Sequence, residues 1–137
     1  MVVYLDSSVV LRILLGQQNA WDGWRRWQKA YSSTLLHVEC RRVIDRLRLE
    51  SFLNDHAVAH VGTELRRLDR VIGRIALTRS VTERASMTMP TSVKTLDAIH
   101  LASAMLLRER RHPDLTFVTH DAQQATCAQA FGFECLG

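Results

Sequence analysis

Four acidic residues, Asp6, Glu39, Asp97 and Asp121, stand at positions where a carboxylate can do chemistry. Asp6 directly follows the apolar residues 2–5 (VVYL), and Asp121 comes shortly after an apolar run that ends at Val118. Such runs are typical of strands that are buried on both faces of a parallel sheet. Sites in these sheets form at the carboxyl ends of the strands, so we expect both aspartates at one edge. Each aspartate also stands where it could cap a helix, which is the alternative role.

Glu39 and Asp97 lie on predicted helices. Glu39 shares a helical stripe with the apolar Leu36, so its side chain is expected to face the core. A carboxylate there is costly unless it is paired or bound to a metal ion. A salt bridge to Arg41 or Arg42 is the alternative for Glu39. Asp97 stands in the first turn of the most apolar helix, where a capping role or a favourable interaction with the helix dipole is the alternative.

Four carboxylates brought together would repel one another unless a cation neutralised them. Carboxylates and water are the ligands that Mg²⁺ or Mn²⁺ prefers. Such a centre activates water and shields the phosphate during phosphodiester cleavage, with either one ion or two. Ser7 and Thr119 adjoin the acids in sequence. They could orient a water molecule or supply a hydroxyl, or they could serve only as helix caps.

The elements that must position these residues alternate between strand and helix. Strand patterns occur at residues 2–5, 30–33, 75–78, 115–118 and 133–136. Helical patterns occur at residues 9–15, 21–30, 35–50, 55–76, 81–87, 95–110 and 121–130. This alternation predicts an α/β fold with a central parallel sheet, in one domain that spans residues 1–137.

Composition excludes several classes of protein. The 137 residues are 47% hydrophobic and 23% charged, which is typical of a chain that buries a core and not of a disordered one. A net charge of +4 permits an anionic partner such as nucleic acid. No run approaches the roughly 18 apolar residues that a membrane span needs, so we expect no membrane association. Three cysteines without metal-binding spacing favour a reducing, cytoplasmic location.

Several segments around the acids carry a family resemblance. They are VYLDSS at residues 3–8, Glu39 at the opening of a helix, KTLDAIHLA at 94–102, FVTHD at 117–121 and FGFECL at 131–136. In this order, over residues 2–136, the set resembles the PIN-domain ribonucleases, and among them the VapC toxins of bacterial toxin–antitoxin pairs. The resemblance implies a three-layer α/β/α sandwich with about five parallel strands. It places the four acids of the family on Asp6, Glu39, Asp97 and Asp121.

The resemblance also implies an activity and partners. It implies a Mg²⁺- or Mn²⁺-dependent endoribonuclease toxin, in which a metal-activated water attacks the RNA phosphodiester and the four acids hold the ion. The implied partners are RNA, a cognate antitoxin and a second copy of the chain. The alternative is a catalytically vestigial binding module within an antitoxin–DNA repressor complex, against which the presence of all four acids argues. A phosphatase would require an acid at position 8, where the chain has Ser8.

Three further patterns could contribute to binding. Arg41 and Arg42, close to Glu39, could hold RNA phosphates or belong to a solvated face. Trp21, Trp24 and Trp27 recur every three residues, which predicts one face of a short helix. That face could be an antitoxin groove, since Trp is frequent at binding hot spots, or it could pack on the sheet.

Two other predictions concern His100 and the longest helical pattern. The apolar stripe from Val58 to Ile75 is regular enough to pack inward and also against a second copy of the chain. His100 follows Asp97 by three residues. We predict that it is a packed histidine with one hydrogen bond, and the resemblance assigns it no role in metal binding.

Overall fold

Five short strands form a wholly parallel sheet in the middle of the folded molecule. They are β1 (Val2–Leu5), β2 (Lys29–Ser33), β3 (Ile72–Ile75), β4 (Thr116–Val118) and β5 (Cys135–Leu136). The computed structural model describes all residues from 1 to 137 and orders the strands β3-β2-β1-β4-β5. This order puts β1 in the centre of the sheet, and every neighbouring pair is parallel. The predicted five-stranded parallel sheet is confirmed.

Six helices connect the strands, and side chains cap most of their first turns. They are α1 (Ser7–Leu14), α2 (Leu35–Leu49), α3 (Asp55–Val71), α4 (Arg79–Ala85), α5 (Thr95–Arg110) and α6 (Ala122–Ala130). Asp6, Asn54, Thr78 and Asp121 each accept a hydrogen bond from a backbone N–H of the helix that follows. These caps satisfy donors that the first turn of a helix leaves unpaired.

Alternate residues of β1 point into two separate cores. Val3 and Leu5 pack on one face of the sheet with apolar residues of α1, α2 and α3. Tyr4 packs on the other face with residues of α5 and α6. This is the period of two that a strand buried on both faces requires. The molecule is therefore the three-layer α/β/α sandwich that the resemblance implied.

The boundary between α3 and β3 differs from the prediction. The helical pattern was expected to continue to residue 76 and the strand to begin at residue 75, but α3 ends at Val71 and β3 covers Ile72–Ile75. Ile72 packs in the core below α3, whereas Ile75 packs on the α5 side of the sheet. Residues three apart in a strand face opposite sides of the sheet, so the two isoleucines belong to different cores. Their spacing of three is also typical of one face of a helix, which is why the pattern predicted a longer helix.

The Trp-rich segment is not a helix. Residues 21–27 form turns that lead into β2, and Arg25 adopts a left-handed backbone conformation with φ of 68°. Trp21 is 8% exposed and belongs to the core below α1, while Trp24 and Trp27 are partly buried against the same core. A Cβ added to Gly23 would lie 2.2 Å from Trp21 Cζ2, so the chain passes directly over the indole. The predicted helix over residues 21–30 is therefore wrong.

The length and hydropathy of the helices also bear on the membrane prediction. None of the six combines the length and the apolar character that crossing a bilayer would take.

Candidate active site

Asp6 and Asp121 lie at the carboxyl ends of adjacent central strands, as predicted. Asp6 Oδ2 accepts hydrogen bonds from Ser8 N at 2.9 Å and Ser8 Oγ at 2.6 Å. Asp121 Oδ1 accepts a hydrogen bond from Gln124 N at 2.9 Å. Both aspartates therefore cap helices. Capping occupies only part of each carboxylate, since the two oxygens together offer about four acceptor positions.

Gln124 holds the second oxygen of Asp6. Its Nε2 donates to Asp6 Oδ1 at 3.2 Å, and its Oε1 accepts a hydrogen bond from Thr119 Oγ1 at 2.6 Å. The Gln124 side chain is fully buried, and Asp6 is 4% exposed. The Thr119 hydroxyl thus orients Gln124, which orients Asp6. Sequence reasoning missed Gln124, although it shares the inward stripe of α6 with Cys127 and Ala128.

Glu39 projects from α2 towards the same edge of the sheet. Its side chain is 15% exposed. Oε2 accepts a hydrogen bond from His100 Nε2 at 2.7 Å, and Oε1 accepts one from Ser7 Oγ at 3.3 Å. The predicted inward orientation is observed.

Neither of the neighbouring arginines forms a salt bridge with Glu39. Arg42 pairs with Asp45 at 3.2 Å, and the guanidinium of Arg41 lies against Gly62 of α3. Arg42 also lines a groove of about 310 Å³ that opens beside Glu39. Of the two arginines proposed for RNA binding, Arg42 is therefore exposed next to the acids, while Arg41 is turned towards α3.

His100 lies between the acids and is fully buried. Its Nδ1 is 2.9 Å from the Tyr4 hydroxyl, and its Nε2 is 3.8 Å from Asp6 Oδ1 in addition to the contact with Glu39. Burial lowers the pKa of His100. The hydrogen bond to Glu39 and the charges of the surrounding carboxylates together raise it by more, so the pKa lies above its usual value. The prediction of one hydrogen bond is wrong: His100 makes two, because Tyr4 and Glu39 approach opposite ring nitrogens.

Asp97 stands at the start of α5 and completes the acidic edge. Its Oδ2 accepts a hydrogen bond from Lys94 N at 3.3 Å. Partial burial raises the pKa of Asp97; the Lys94 hydrogen bond opposes this, while the charges of Asp121 and Asp6 raise the pKa further. Asp97 therefore lies in the field of the other two aspartates. Burial raises the pKa of the Cys40 thiol to about 12, and the charges of Glu39, Asp69 and Asp6 contribute to the increase.

The four acids differ from the other partly buried acids of the chain because none of them pairs with arginine or lysine. Asp45, Glu64 and Asp69, the other acidic residues that are not fully exposed, each pair with an arginine at 3.3 Å or less. Asp6, Glu39, Asp97 and Asp121 form no salt bridge with lysine or arginine, and only His100 lies among them. A group of partly buried carboxylates without arginine or lysine is unfavourable unless another cation compensates it.

The comparison with protein families decides the identity of this fold. The PIN domain family matches residues 3–129, which includes every one of the four acids. The chain belongs to the PIN domain family. PIN domains are generally nucleases, so the family and the acidic edge indicate a hydrolase that acts on nucleic acid. No curated protein matches the chain closely enough to count as a relative.

The donor chemistry of the PIN site fits a hard divalent cation. The four acids offer oxygen ligands, and Mg²⁺ and Mn²⁺ favour such ligands together with water. Burial raises the pKa of Asp97, and the charges of Asp121 and Asp6 raise it further, so a nearby cation would favour the charged carboxylate. As the side chains stand, no three His, Cys, Asp or Glu residues are grouped closely enough to hold a metal ion. Since hydrogen bonds hold Asp6 and Glu39, coordination by three of the acids would require Asp97 or Asp121 to turn towards these two.

Proposed function

We propose that this PIN protein is a Mg²⁺- or Mn²⁺-dependent endoribonuclease and the toxin of a toxin–antitoxin pair. One observation carries the nuclease assignment: the four partly or fully buried carboxylates at the edge of the sheet form no salt bridge with arginine or lysine. The scissile phosphate of RNA is itself negative, so this edge would repel it without a cation. Asp6, Glu39, Asp97 and Asp121 are the residues that would hold the cation.

The site residues have two kinds of role: some hold the acids in place, and others offer charge to the cation or to the RNA. A bound divalent cation would supply positive charge for the phosphate oxygens and make water a better nucleophile. Asp6 is held by Ser8 and Gln124 at separate oxygens, so its orientation is fixed before substrate arrives. Arg42, exposed at the groove beside Glu39, supplies a positive charge for a neighbouring RNA phosphate.

Cleavage of RNA by the purified chain tests the nuclease assignment. We expect a mixed RNA substrate to be cut internally in Mn²⁺ or Mg²⁺ and to remain intact when EDTA removes the cation. The same reaction in Ca²⁺ is the control for general charge screening, because Ca²⁺ is also divalent but prefers more ligands at longer distances. An intact substrate under all conditions, together with tight binding of an antitoxin, would favour the vestigial binding module instead.

The antitoxin would dock on exposed apolar surface near the acids. Val38 and Leu96, 55% and 45% exposed, lie on the walls of the groove that reaches Glu39 and Ser7. A basic side chain at the end of the docked segment would pair with the acids and compete with the cation. Trp21 is buried, so the groove replaces the Trp segment as the surface we assign to this partner.

We further expect the chain to form a homodimer. Val61 and Leu65 of α3 are buried within one copy, while Val71 at the end of the helix is 57% exposed and Leu77 beyond β3 is 44% exposed. These exposed side chains give a second copy an apolar contact. Light scattering at micromolar concentration should report twice the chain mass of 15.6 kDa. A single species at 15.6 kDa would contradict the dimer.

A further inference from the structure

Tyr4 and His100 form a buried chain of hydrogen bonds that ends on Glu39. The Tyr4 hydroxyl lies 2.9 Å from His100 Nδ1, and His100 Nε2 lies 2.7 Å from Glu39 Oε2. Both side chains are fully buried, and the contacts join β1, α5 and α2. We propose that Tyr4 and His100 are positioning residues that hold the Glu39 carboxylate in the orientation that binds the divalent cation. This inference rests on the proposed function.

The direction of the hydrogen bonds at Glu39 is the same in every protonation state of the imidazole. A neutral histidine carries one N–H, and donation from the Tyr4 hydroxyl to Nδ1 leaves that hydrogen on Nε2. A protonated histidine carries both hydrogens, and the Tyr4 oxygen then accepts from Nδ1. In both cases His100 Nε2 donates to Glu39. The Glu39 carboxylate can only accept, so it selects the arrangement in which His100 Nε2 donates, and the Tyr4 hydroxyl is a compatible partner for Nδ1 in either state.

The contact with His100 leaves the two oxygens of Glu39 in different surroundings. Oε2 is engaged at 2.7 Å, whereas Oε1 has only the longer 3.3 Å contact with Ser7 Oγ. Anchoring one oxygen limits rotation of the carboxylate and leaves Oε1 as the ligand with free acceptor capacity. Partners that orient a ligating carboxylate commonly change metal affinity or activity by about 10–100-fold when they are removed.

Binding of Mn²⁺ by calorimetry to the full chain tests this role without relying on activity. We expect His100→Leu to raise the Kd for Mn²⁺ by about tenfold or more. His100→Gln, whose amide can donate to Glu39, should stay within about threefold of wild type, and Tyr4→Phe should raise the Kd by about threefold. Tyr31→Phe is a matched control, because the Tyr31 hydroxyl contacts His112 Nε2 at 3.1 Å in another Tyr–His pair that does not involve the four acids. Its Kd should equal that of wild type.

A double substitution separates positioning from a general effect on packing. In a Glu39→Ala background, titrated at millimolar Mn²⁺, adding His100→Leu should change the Kd by less than about twofold, because the residue through which His100 acts is absent. A full tenfold change in that background would overturn the proposal. So would a folded His100→Leu protein with the wild-type Kd.

Two outcomes distinguish failure of this inference from failure of the proposed function. If wild type neither binds Mn²⁺ nor cleaves RNA, both are wrong. If wild type does both and His100→Leu matches it, only the positioning role is wrong. Should His100→Leu fail to fold, as judged by circular dichroism, the comparison of Tyr4→Phe with Tyr31→Phe decides, and equal Kd values for these two proteins would overturn the proposal.

Discussion

RNA cleavage should fall on the order of a thousandfold when Asp6 or Asp97 is replaced by asparagine, because stabilisation of several kcal/mol by a bound cation corresponds to such a factor. Asparagine caps helices about as well as aspartate, so α1 should keep its first turn in Asp6→Asn. The measurement is the rate of RNA cleavage in Mn²⁺, with circular dichroism as a test of folding. Asp114→Asn, an exposed acid in the turn before β4, is the control for loss of one negative charge. Full activity in either site variant would refute the assignment.

The stability of the metal-free Asp97→Asn protein should exceed that of wild type above about pH 4. The folded protein raises the pKa of Asp97 above its ordinary 3.8, so the folded state binds a proton more tightly than the unfolded state. Below pH 3.8 the carboxyl is protonated in the folded and the unfolded state, so it does not lower the free energy of unfolding. As pH rises through the raised pKa, the charged form accumulates and stability is lost. Melting temperatures of both proteins in EDTA at pH 4 and pH 7 should show the gap widening with pH.

Trp21→Ala should destabilise the fold by about 3–5 kcal/mol, the usual cost of removing a buried aromatic side chain. Trp21 is 8% exposed, and the backbone at Gly23 covers its ring, so no neighbouring side chain can readily fill the space. Urea unfolding measures the change, with Trp24→Ala as the comparison, since Trp24 is only partly buried and should cost less. An unchanged unfolding midpoint in Trp21→Ala would show that the indole is not part of the core.

The sheet, the strand-end positions of Asp6 and Asp121 and the inward orientation of Glu39 could be predicted because they follow from local patterns. The apolar residues 2–5 are typical of a strand buried on two faces, and an acid directly after such a strand lies at its carboxyl end. Glu39 was located by its shared stripe with Leu36. These inferences need only the helix and strand periods, which the sequence displays directly.

The errors arose where two structures share one spacing. Trp21, Trp24 and Trp27 recur every three residues, yet Gly23 and the left-handed Arg25 let the chain turn around one indole instead of forming a helix. The hydrogen bonds of His100 and Gln124 could not be predicted, because their partners are far away in the sequence. His100 is 61 residues from Glu39, and Gln124 is 118 residues from Asp6. Only the folded chain brings them together.

The central position of β1 has a consequence for how the protein is made. A ribosome synthesises Asp6 well before the neighbouring strand β4, and Gln124 follows Asp6 by 118 residues. The nascent chain therefore carries an incomplete acidic edge until Gln124 has been added, and pairing across so great a sequence distance is slow. Cleavage activity should be absent from ribosome-bound chains that stop before residue 116 and should appear only after release of the whole domain.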